Sequence, residues 1–455
     1  MPGRIPSPVN AALLTIPTLG LITAILALRH LVAVPGRTLE RLALAGFALV
    51  VMLPSSKVVD TGLIPGGNRV LQAASLGLLL VATFASLSRS DLGRRAPVPA
   101  AVVAVLAAAG VMVVVDIAAM PHLGIGTIMA RLLAVVMVVV MVQLGARGVL
   151  DLQVTGQALI FSFGVICLMT AATADAVRAC SKFKCGPFGG QITGPFYNET
   201  TFAGLALLAL IFALFQPDRA LRVAAFTTSA FVLYAAESRT SQIAAITALA
   251  FAALWRFAPA AALPAVRTAL LVAPTSIALL GLHLVYASET AAFSNRGSIW
   301  SAGVNALGDR WAWGRGLDSW NVLALDRNFM HSQYLLLLYS GGVLAVLFYC
   351  VAMMSILGRA RTAQDWPAVA VTMALLVFGL VDIVWNPISI EHGAVMGLAI
   401  LSALFASGQH APAPAVRAGA PIPRRRPSLI ASRGGAPVRD PDRKSTRPEL
   451  QSPMY

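Results

Sequence analysis

The sequence predicts an all-α protein, a polytopic bundle of helices that cross a lipid bilayer many times. Hydrophobic residues make up 58% of the 455 residues and charged residues only 12%, about half the charged share of soluble domains. A water-soluble chain of this composition lacks the polar side chains to cover its surface, whereas lipid removes that need. The apolar residues also fall into long runs of about 20 residues, the length of a spanning helix.

Thirteen apolar runs are candidates for spanning helices. Because the run at 42–56 is short, and one run can be re-entrant or interfacial, twelve or thirteen spanning helices are expected. The runs are 9–32, 42–56, 70–88, 98–119, 125–146, 154–175, 200–216, 221–237, 241–257, 268–287, 334–357, 366–385 and 389–406.

Positive residues mark alternate loops between these runs. Short cytoplasmic loops are enriched in Lys and Arg, so the cytoplasmic set is predicted to be the loops with Arg29, Arg37 and Arg41; Arg89, Arg94 and Arg95; Arg147; Arg219 and Arg222; Arg256 and Arg267; and Arg359 and Arg361. The extracytoplasmic set is then the N-terminus and the segments 57–69, 120–124, 177–199, 237–240, 288–333 and 386–388. The predicted location is a bacterial inner membrane, with the second set facing the periplasm.

The net charge of +15 fits this membrane pattern. The tail over 407–455 has nine Lys and Arg against three Asp and Glu, a net charge of +6, and it lacks apolar periodicity. It is predicted to be a disordered cytoplasmic arm that follows a transmembrane domain over 1–406. A basic arm beside a membrane is an orientation and lipid-surface signal, so nucleic-acid binding is not expected.

Two extracytoplasmic segments are long and polar. The segment 177–199 contains Cys180 and Cys185, whose position on the oxidising side favours a disulfide over a metal site. The segment 288–333 is a large loop rich in Gly, Arg and Trp, and its aromatic residues argue against disorder. The stretch from Ile299 to Trp313 is predicted to be an amphipathic helix on the bilayer surface.

Three polar residues stand out as functional candidates. Arg239 lies in ESRTSQ between two apolar runs, where a guanidinium flanked by hydroxyl groups suits an anion such as a phosphate, or where it merely ends a helix. Arg296 lies in NRGSIW and is either an anion ligand or a solvated loop charge. His331, where the long loop meets the next helix, is either a proton acceptor or a helix cap.

Other polar residues have no assigned role at this point. Gly341 and Gly342 are expected to let helices pack closely, and Asn198 and Glu199 to cap the helix that begins near 200. Arg310, Arg315 and Arg327 cannot be ranked without geometry, and neither can the four charged residues in or next to apolar runs, which are Asp116, Arg131, Asp175 and Asp382.

Several familiar catalytic motifs are missing from the sequence. It has no GxxxxGK[ST] phosphate loop, no HExxH zinc motif, no nucleophile elbow and no Asp-x-Asp pair. An ATP-driven pump requires a phosphate loop. The sequence therefore argues against an ATP-driven pump and against a transferase built on acidic metal ligands, and no metal or other cofactor is expected.

The order of these segments resembles the O-antigen ligase/polymerase family of polytopic glycosyltransferases. The resemblance covers about residues 190–360 and rests on the order and sidedness of loose motifs. In this sequence they are GPFYNETTFAG at 194–204, ESRTSQ at 237–242, Arg296 to Trp300, Gly314-Arg315-Gly316 and HSQYL at 331–335. Ser332 departs from the pattern, because Asn usually follows the histidine.

The resemblance implies a glycosyltransferase C-like fold and an inverting, metal-independent transfer. The donor would be a glycan on undecaprenyl diphosphate, with Arg239 and Arg296 binding the diphosphate. His331 would orient or deprotonate the hydroxyl of the acceptor, a glycan or a lipid-linked sugar. Ser238, Thr240, Trp300, Arg315 and Asn198 would surround the substrates. The products would be cell-surface polysaccharides such as O-antigen or exopolysaccharide.

Other functions remain compatible with the sequence. Ligase and polymerase differ only in the acceptor, which the motifs do not identify. A transporter or flippase of lipid-linked glycans or other solutes also has many helices and a few intramembrane charges. A scaffold of an envelope-polysaccharide complex would need neither Arg239 nor His331.

Overall fold

A computed structural model describes residues 7–57, 59, 67–87, 98–119, 124–173, 175–180, 185–290, 292–322 and 330–406. The predictions for the tail over 407–455, and those for Arg89, Arg94, Arg95 and Arg327, lie outside these residues. Within them the protein is a bundle of α-helices with a single small antiparallel pairing of strands, which confirms the predicted all-α class.

The described chain contains fifteen α-helices, and thirteen of them correspond to the thirteen predicted runs. They are α1 Ser7–Val32, α2 Thr38–Val50, α3 Gly67–Leu87, α4 Ala100–Ala119, α5 Ile125–Ala146, α6 Leu152–Ala172, α7 Glu199–Leu214, α8 Arg219–Ala236, α9 Arg239–Phe257, α10 Leu263–Ala287, α11 Ala292–Leu307, α12 Asp318–Val322, α13 Gln333–Arg359, α14 Trp366–Phe378 and α15 Gly393–Ala406. The two additional helices, α11 and α12, belong to the long loop.

Nine helical segments of the described chain are long and apolar enough to cross a membrane. They are α1, α2 with the 3₁₀ turn at Leu53–Ser55, α3, α4, α5, α6, α9, α10 and α13. The helices α7, α14 and α15 are apolar but shorter, and α8 has two arginines, Arg219 and Arg222, in its first turn. The protein is thus polytopic, and the predicted twelve or thirteen spans require that three or all four of these helices also cross.

Side-chain contacts gather one set of turns at one end of the bundle, here called the basic end. His30 at the end of α1 lies 3.4 Å from Asp218, which precedes α8. The Trp255 indole near the end of α9 donates to the Thr362 carbonyl before α14, at 2.8 Å. These turns are the ones that the distribution of Lys and Arg assigns to the cytoplasm.

The other set of turns meets at the opposite end. Ser55, after α2, lies 2.8 Å from the His392 ring before α15. Gln72, in the first turns of α3, donates to the carbonyl of Ile390 at 3.3 Å. At each end, the described turns that these contacts join belong to one of the two sets that the charge pattern defines.

Small residues let α1 and α6 approach very closely. A Cβ atom added to Gly164 would lie 2.8 Å from the Gly20 carbonyl oxygen and 2.7 Å from the Ala24 nitrogen. Close backbone approach at small residues is the usual way in which membrane helices pack. A hydrogen bond of 2.9 Å between the Thr23 and Thr228 hydroxyl groups then ties α1 to α8.

The predicted run over 366–385 is wrong at its C-terminal end. Helix α14 stops at Phe378, and α15 does not start until Gly393 rather than at 389. The intervening segment, here called the last loop (379–392), is not helical. Its amide groups find partners outside a helix, since the side chain of Gln333 pairs with two of them.

Helix α13 is broken rather than continuous. Gly342 has φ +66°, a conformation that favours glycine, and it lies nine residues, or about 13 Å, into the helix. The long loop fills the break: the Val343 amide donates to the Trp311 carbonyl at 3.0 Å, and the Arg315 amide to the Tyr339 carbonyl at 2.7 Å. Gly342 thus does more than permit helix packing.

The predicted amphipathic helix from Ile299 to Trp313 is also misplaced. Helix α11 begins earlier and ends at Leu307. Trp300 is fully buried, whereas Trp311 and Trp313, which are 37% and 63% exposed, lie beyond the helix. The reason is that Trp300 packs under the start of α13 instead of facing lipid.

The segment before α7 forms a compact hairpin. Strands β1 Val177–Arg178 and β2 Gln191–Ile192 pair in antiparallel fashion, and a disulfide joins Cys180 to Cys185. Ser56 forms a β-bridge with Phe196, which anchors the hairpin to the turn after α2.

The contact between α1 and α6 predicts a large effect of Gly164→Leu. Because the new side chain would meet α1 backbone atoms, which cannot move aside, we expect a loss of about 1–3 kcal/mol in stability and a lower melting temperature in detergent. Gly110→Leu is the matched control, since nothing lies within 4 Å of a Cβ atom there. Equal melting temperatures for the two variants would contradict this packing.

Candidate functional site

The Gln333 side chain joins the start of α13 to the last loop. Gln333 is 1% exposed, and its Oε1 accepts from the Val384 and Trp385 amides at 2.9 and 3.0 Å. Its Nε2 donates to the Trp385 carbonyl at 2.9 Å, and its backbone amide donates to the Gly379 carbonyl at 2.9 Å. Four hydrogen bonds therefore fix the residues before α13 against one side of the last loop.

His331 lies two residues before this clamp, in a left-handed backbone conformation with φ +49°. This conformation is uncommon for residues other than glycine, and it persists where the surrounding structure fixes it. Here the next residue, Ser332, is the N-cap of α13, and the preceding carbonyl of Met330 accepts from the Trp300 indole at 2.9 Å. Contacts of the residues before and after it thus fix the backbone of His331, whose side chain is half-buried.

Trp300 holds the His331 turn and is not exposed to a substrate in this structure. Its ring is fully buried and packs against the Phe293 ring, with 5.3 Å between the centroids. Its single N–H group is used by Met330. Trp300 therefore positions the turn, in contrast to the substrate contact that the family resemblance implies for it.

Arg296 lies one turn before Trp300 on the same face of α11. Its guanidinium donates to the Val381 carbonyl and lies 3.7 Å from the Asp382 carboxylate. Both side chains are largely buried, with exposures of 14% and 16%. Because 3.7 Å exceeds a hydrogen bond, the pair is an ionic contact, and within the described part of the chain guanidinium N–H groups of Arg296 remain for another anion.

Arg239 lies at the same end of the bundle and is more accessible. Its side chain is 69% exposed, and its guanidinium is 4.0 Å from Glu237. The end of α9 contacts the turn before α14 through Trp255 and Thr362, and the two helices pack together, so they run in opposite directions. Arg239 is 16 residues before Trp255, and Phe378 is 16 residues after Thr362. Arg239 is therefore level with the end of α14, where the last loop begins.

Two of the other predicted site residues have local roles. Ser238 is buried, with its hydroxyl 2.9 Å from that of Ser241. Asn198 caps α7, since its Oδ1 accepts from the Thr200 amide at 3.0 Å. Both side chains therefore shape the start of a helix.

Two further predicted residues lie in different surroundings. Thr240 is half-buried beside Arg239, at the end of the bundle where the candidate site lies. Arg315 is fixed at the break in α13, where its backbone amide binds Tyr339. Its side chain donates to the Leu307 carbonyl at 3.4 Å, so the structure connects Arg315 to the long loop and not to the last loop.

Three residues other than glycine have a left-handed backbone within the described chain: Glu237, Phe293 and His331. Glu237 lies two residues before Arg239, and Phe293 three residues before Arg296. Unusual backbone conformations concentrate at functional sites. Each of the three predicted catalytic residues thus lies in or beside such a position.

A cavity opens next to Arg296, here called the α7 cavity. Its polar lining consists of Thr200, Thr201, Asp382 and His392, and the free space between the lining residues, about 330 Å³, includes open solvent. Its other walls are apolar and come from Met52, Gly204, Leu205, Phe378, Ile383, Val395 and Met396.

The polar residues of this cavity have no role that the sequence alone predicts. In the sequence, Asp382 stands out only as a lone acidic residue at the end of an apolar run. Asp116 and Asp175 have the same feature, so it does not distinguish Asp382 from them. His392 has no motif around it, and its relation to Ser55 spans 337 residues. Only the folded chain brings these groups together.

A largely buried network of polar side chains around Arg131 is hydrogen-bonded to the last loop. Arg131 binds Asp116 at 3.1 Å and Asp318 at 2.8 Å, and donates to the Ile388 carbonyl at 3.1 Å. These contacts connect α4, α5, α12 and the last loop. Arg131 and Asp116 are therefore structural partners of the site rather than members of it.

Comparison of the chain with protein-family models, with curated proteins and with solved structures found no match. Among the described residues, no group of three or more His, Cys, Asp or Glu side chains is placed to hold a metal ion. The charged and titratable groups described above around the candidate site include the Arg239 and Arg296 guanidinium groups, the His331 and His392 imidazoles, and the Glu237 and Asp382 carboxylates.

The clamp predicts a specific cross-link. A Cβ atom added to Gly379 would lie 3.0 Å from that of Gln333, near the separation of about 3.5–4.5 Å in disulfides. When the protein is labelled with maleimide after denaturation, the double variant Gln333→Cys/Gly379→Cys should therefore take up two fewer labels if it was first mildly oxidised, and regain them after reduction.

The control for this cross-link is Gln333→Cys/Gly358→Cys, in which the second cysteine lies near the other end of α13. It should stay reactive under the same oxidation. Maleimide reactivity of Gln333→Cys/Gly379→Cys that does not change with oxidation would contradict the placement of the last loop.

Proposed function

We propose that the protein is a membrane glycosyltransferase of the O-antigen ligase/polymerase type. The single observation that carries this proposal is the shared attachment of Arg296 and the His331 turn to the last loop. An anion-binding guanidinium and a proton acceptor at adjacent points of one rigid loop are what a transfer from a sugar diphosphate requires.

The donor is a glycan on undecaprenyl diphosphate, whose polyprenyl chain lies in the membrane. The exposed Arg239 and the partly neutralised Arg296 bind the diphosphate, because a guanidinium contacts two phosphate oxygens at once. The ionic contact with Asp382 keeps Arg296 oriented while N–H groups remain for the ligand.

In the reaction, the acceptor hydroxyl oxygen attacks the anomeric carbon of the donor sugar. The bond from that carbon to the phosphate oxygen breaks, and its electron pair leaves with the diphosphate. His331 takes the proton of the hydroxyl, while Arg239 and Arg296 stabilise the charge that develops on the phosphate. Attack from the face opposite the leaving group inverts the anomeric centre.

The site lies at the end of the bundle opposite the basic end, which is the periplasmic side if Lys and Arg mark the cytoplasm. The acceptor is a sugar hydroxyl of a separate glycolipid in a ligase, or of a second lipid-linked repeat unit in a polymerase. Both reactions use the same donor contacts.

A transporter or flippase of lipid-linked glycans is the second candidate. It is favoured by the break in α13 at Gly342, because transporters often have discontinuous helices near their substrate sites. In this protein, however, loop residues fill the break through two backbone hydrogen bonds. A transporter would move the donor across the bilayer without making a new glycosidic bond.

Reconstitution in liposomes with an undecaprenyl-diphosphate oligosaccharide and candidate acceptors tests the proposal. The wild-type protein should form a glycosylated product, and the product lengths on a gel separate a single transfer from polymerisation. His331→Ala should lower the rate about 10²–10⁴-fold, and Arg239→Ala and Arg296→Ala should also be strongly impaired.

Arg310→Ala is the matched control, because Arg310 is an exposed arginine of the same loop that contains Arg296. It should retain the wild-type rate. Full activity of His331→Ala and Arg296→Ala would refute the mechanism, and movement of donor across the bilayer without any product would establish the transporter instead.

A further inference from the structure

Helix α13 folds back on itself at Gly342. Tyr334 and Tyr349 lie on opposite sides of this break, 15 residues apart in the sequence, yet their ring centroids are only 6.3 Å apart. In a continuous helix, 15 residues would span about 22 Å. The first half of α13 therefore lies beside the second half.

A small cavity lies between the two halves, here called the α13 cavity. Gln333 and Leu337 of the first half line it together with Tyr349 and Met353 of the second half. Trp385 of the last loop also lines it, and the remaining lining residues are apolar. The cavity is thus next to the Gln333 clamp, on the side of the second half of α13.

Two side chains of the α13 cavity have buried polar atoms without a protein partner. Tyr349 is 7% exposed and Trp385 is 4% exposed. Among the described residues, neither the Tyr349 hydroxyl nor the Trp385 indole Nε1 has a hydrogen-bond partner. Buried polar groups nearly always have one, either a protein group or an ordered water.

Gln333 offers a third polar group to the cavity. Its Nε2 atom carries two N–H groups, and within the described part of the chain one of them is used by the Trp385 carbonyl. The cavity is therefore lined by side chains that together provide two N–H donors and one hydroxyl, which can accept or donate.

The size of the α13 cavity is that of a water molecule. The centre of a water molecule has about 20 Å³ of free space there, and a water requires roughly 10–15 Å³ together with about two to four polar partners. The Trp385, Gln333 and Tyr349 side chains supply three such partners. A sugar ring or a lipid headgroup is far larger.

We infer that the α13 cavity binds one ordered water molecule, which accepts hydrogen bonds from the Trp385 indole and the Gln333 amide and donates one to the Tyr349 hydroxyl. The water extends the clamp, since Gln333 joins the first half of α13 to the last loop and the water joins the second half to it. This inference concerns only groups of the protein itself, so it does not depend on the proposed function.

The stability of three matched variants, each with phenylalanine in place of one tyrosine, tests this inference. Tyr334→Phe removes a direct hydrogen bond of 3.0 Å to the Leu376 carbonyl and should lower the equilibrium constant for folding about fivefold. Tyr349→Phe should lower it by a similar factor, because the water loses a partner. Tyr286→Phe, at a ring that is 71% exposed, should leave it unchanged. Reversible unfolding of the full chain in mixed micelles measures all three constants.

The direction of the Tyr349→Phe effect distinguishes the two possibilities. If no water occupies the cavity, the Tyr349 hydroxyl is a buried polar group without a partner, and its removal should leave the folding constant unchanged or raise it. Either of these results would refute the inference. The ring remains in each variant, so a loss of packing does not explain a decrease.

A second measurement detects the water itself. In proton-detected solid-state NMR of the protein in liposomes, the indole N–H signal of Trp385, assigned by its loss in Trp385→Phe, should show a cross-peak to water that weakens in Tyr349→Phe. The indole of Trp300, which is buried and donates to the Met330 carbonyl, should show none. A Trp385 signal without a water cross-peak would overturn the inference.

Discussion

The arrangement of the candidate site depends on one buried amide, that of Gln333. Within a membrane bundle, an unpaired polar group costs several kcal/mol, and among the described residues the side-chain amide of Gln333 is paired with the Val384 and Trp385 backbone. The last loop and the start of α13 therefore stay together. Arg296 attaches to this loop from α11, and His331 precedes the clamp by two residues.

Other polar contacts make the same region rigid. Arg131 ties the last loop to α4 and α5, and the long loop closes the backbone of α13 at Gly342. Irregular backbone at membrane depth is tolerated where other protein groups form its hydrogen bonds. Here the long loop forms hydrogen bonds with the backbone at the break in α13, and Gln333 forms hydrogen bonds with the backbone of the last loop. A scaffold of this kind can hold guanidinium and imidazole groups in fixed positions, which electrostatic stabilisation of a transition state requires.

Sequence patterns located the helices well, because lipid demands long apolar runs and the charge bias distinguishes the two ends. They failed at 379–385 and at Gly342, since the partners that replace helical hydrogen bonds there, Gln333 and Trp311, are remote in sequence. The order of motifs singled out Arg296 and His331. It did not single out His392 or the contact between Asp382 and Arg296, because an isolated polar residue does not form a motif with a defined spacing.

The central claim is that the proposed catalytic groups lie on one face of the membrane, opposite the basic end. Labelling of single-cysteine variants in intact cells with a membrane-impermeant maleimide tests it most directly. Cysteines that replace Arg239 and His331 should react without permeabilisation, whereas those that replace Arg256 and Arg361 should react only after it. Reaction of Arg239→Cys and His331→Cys from different sides of the membrane would contradict the account.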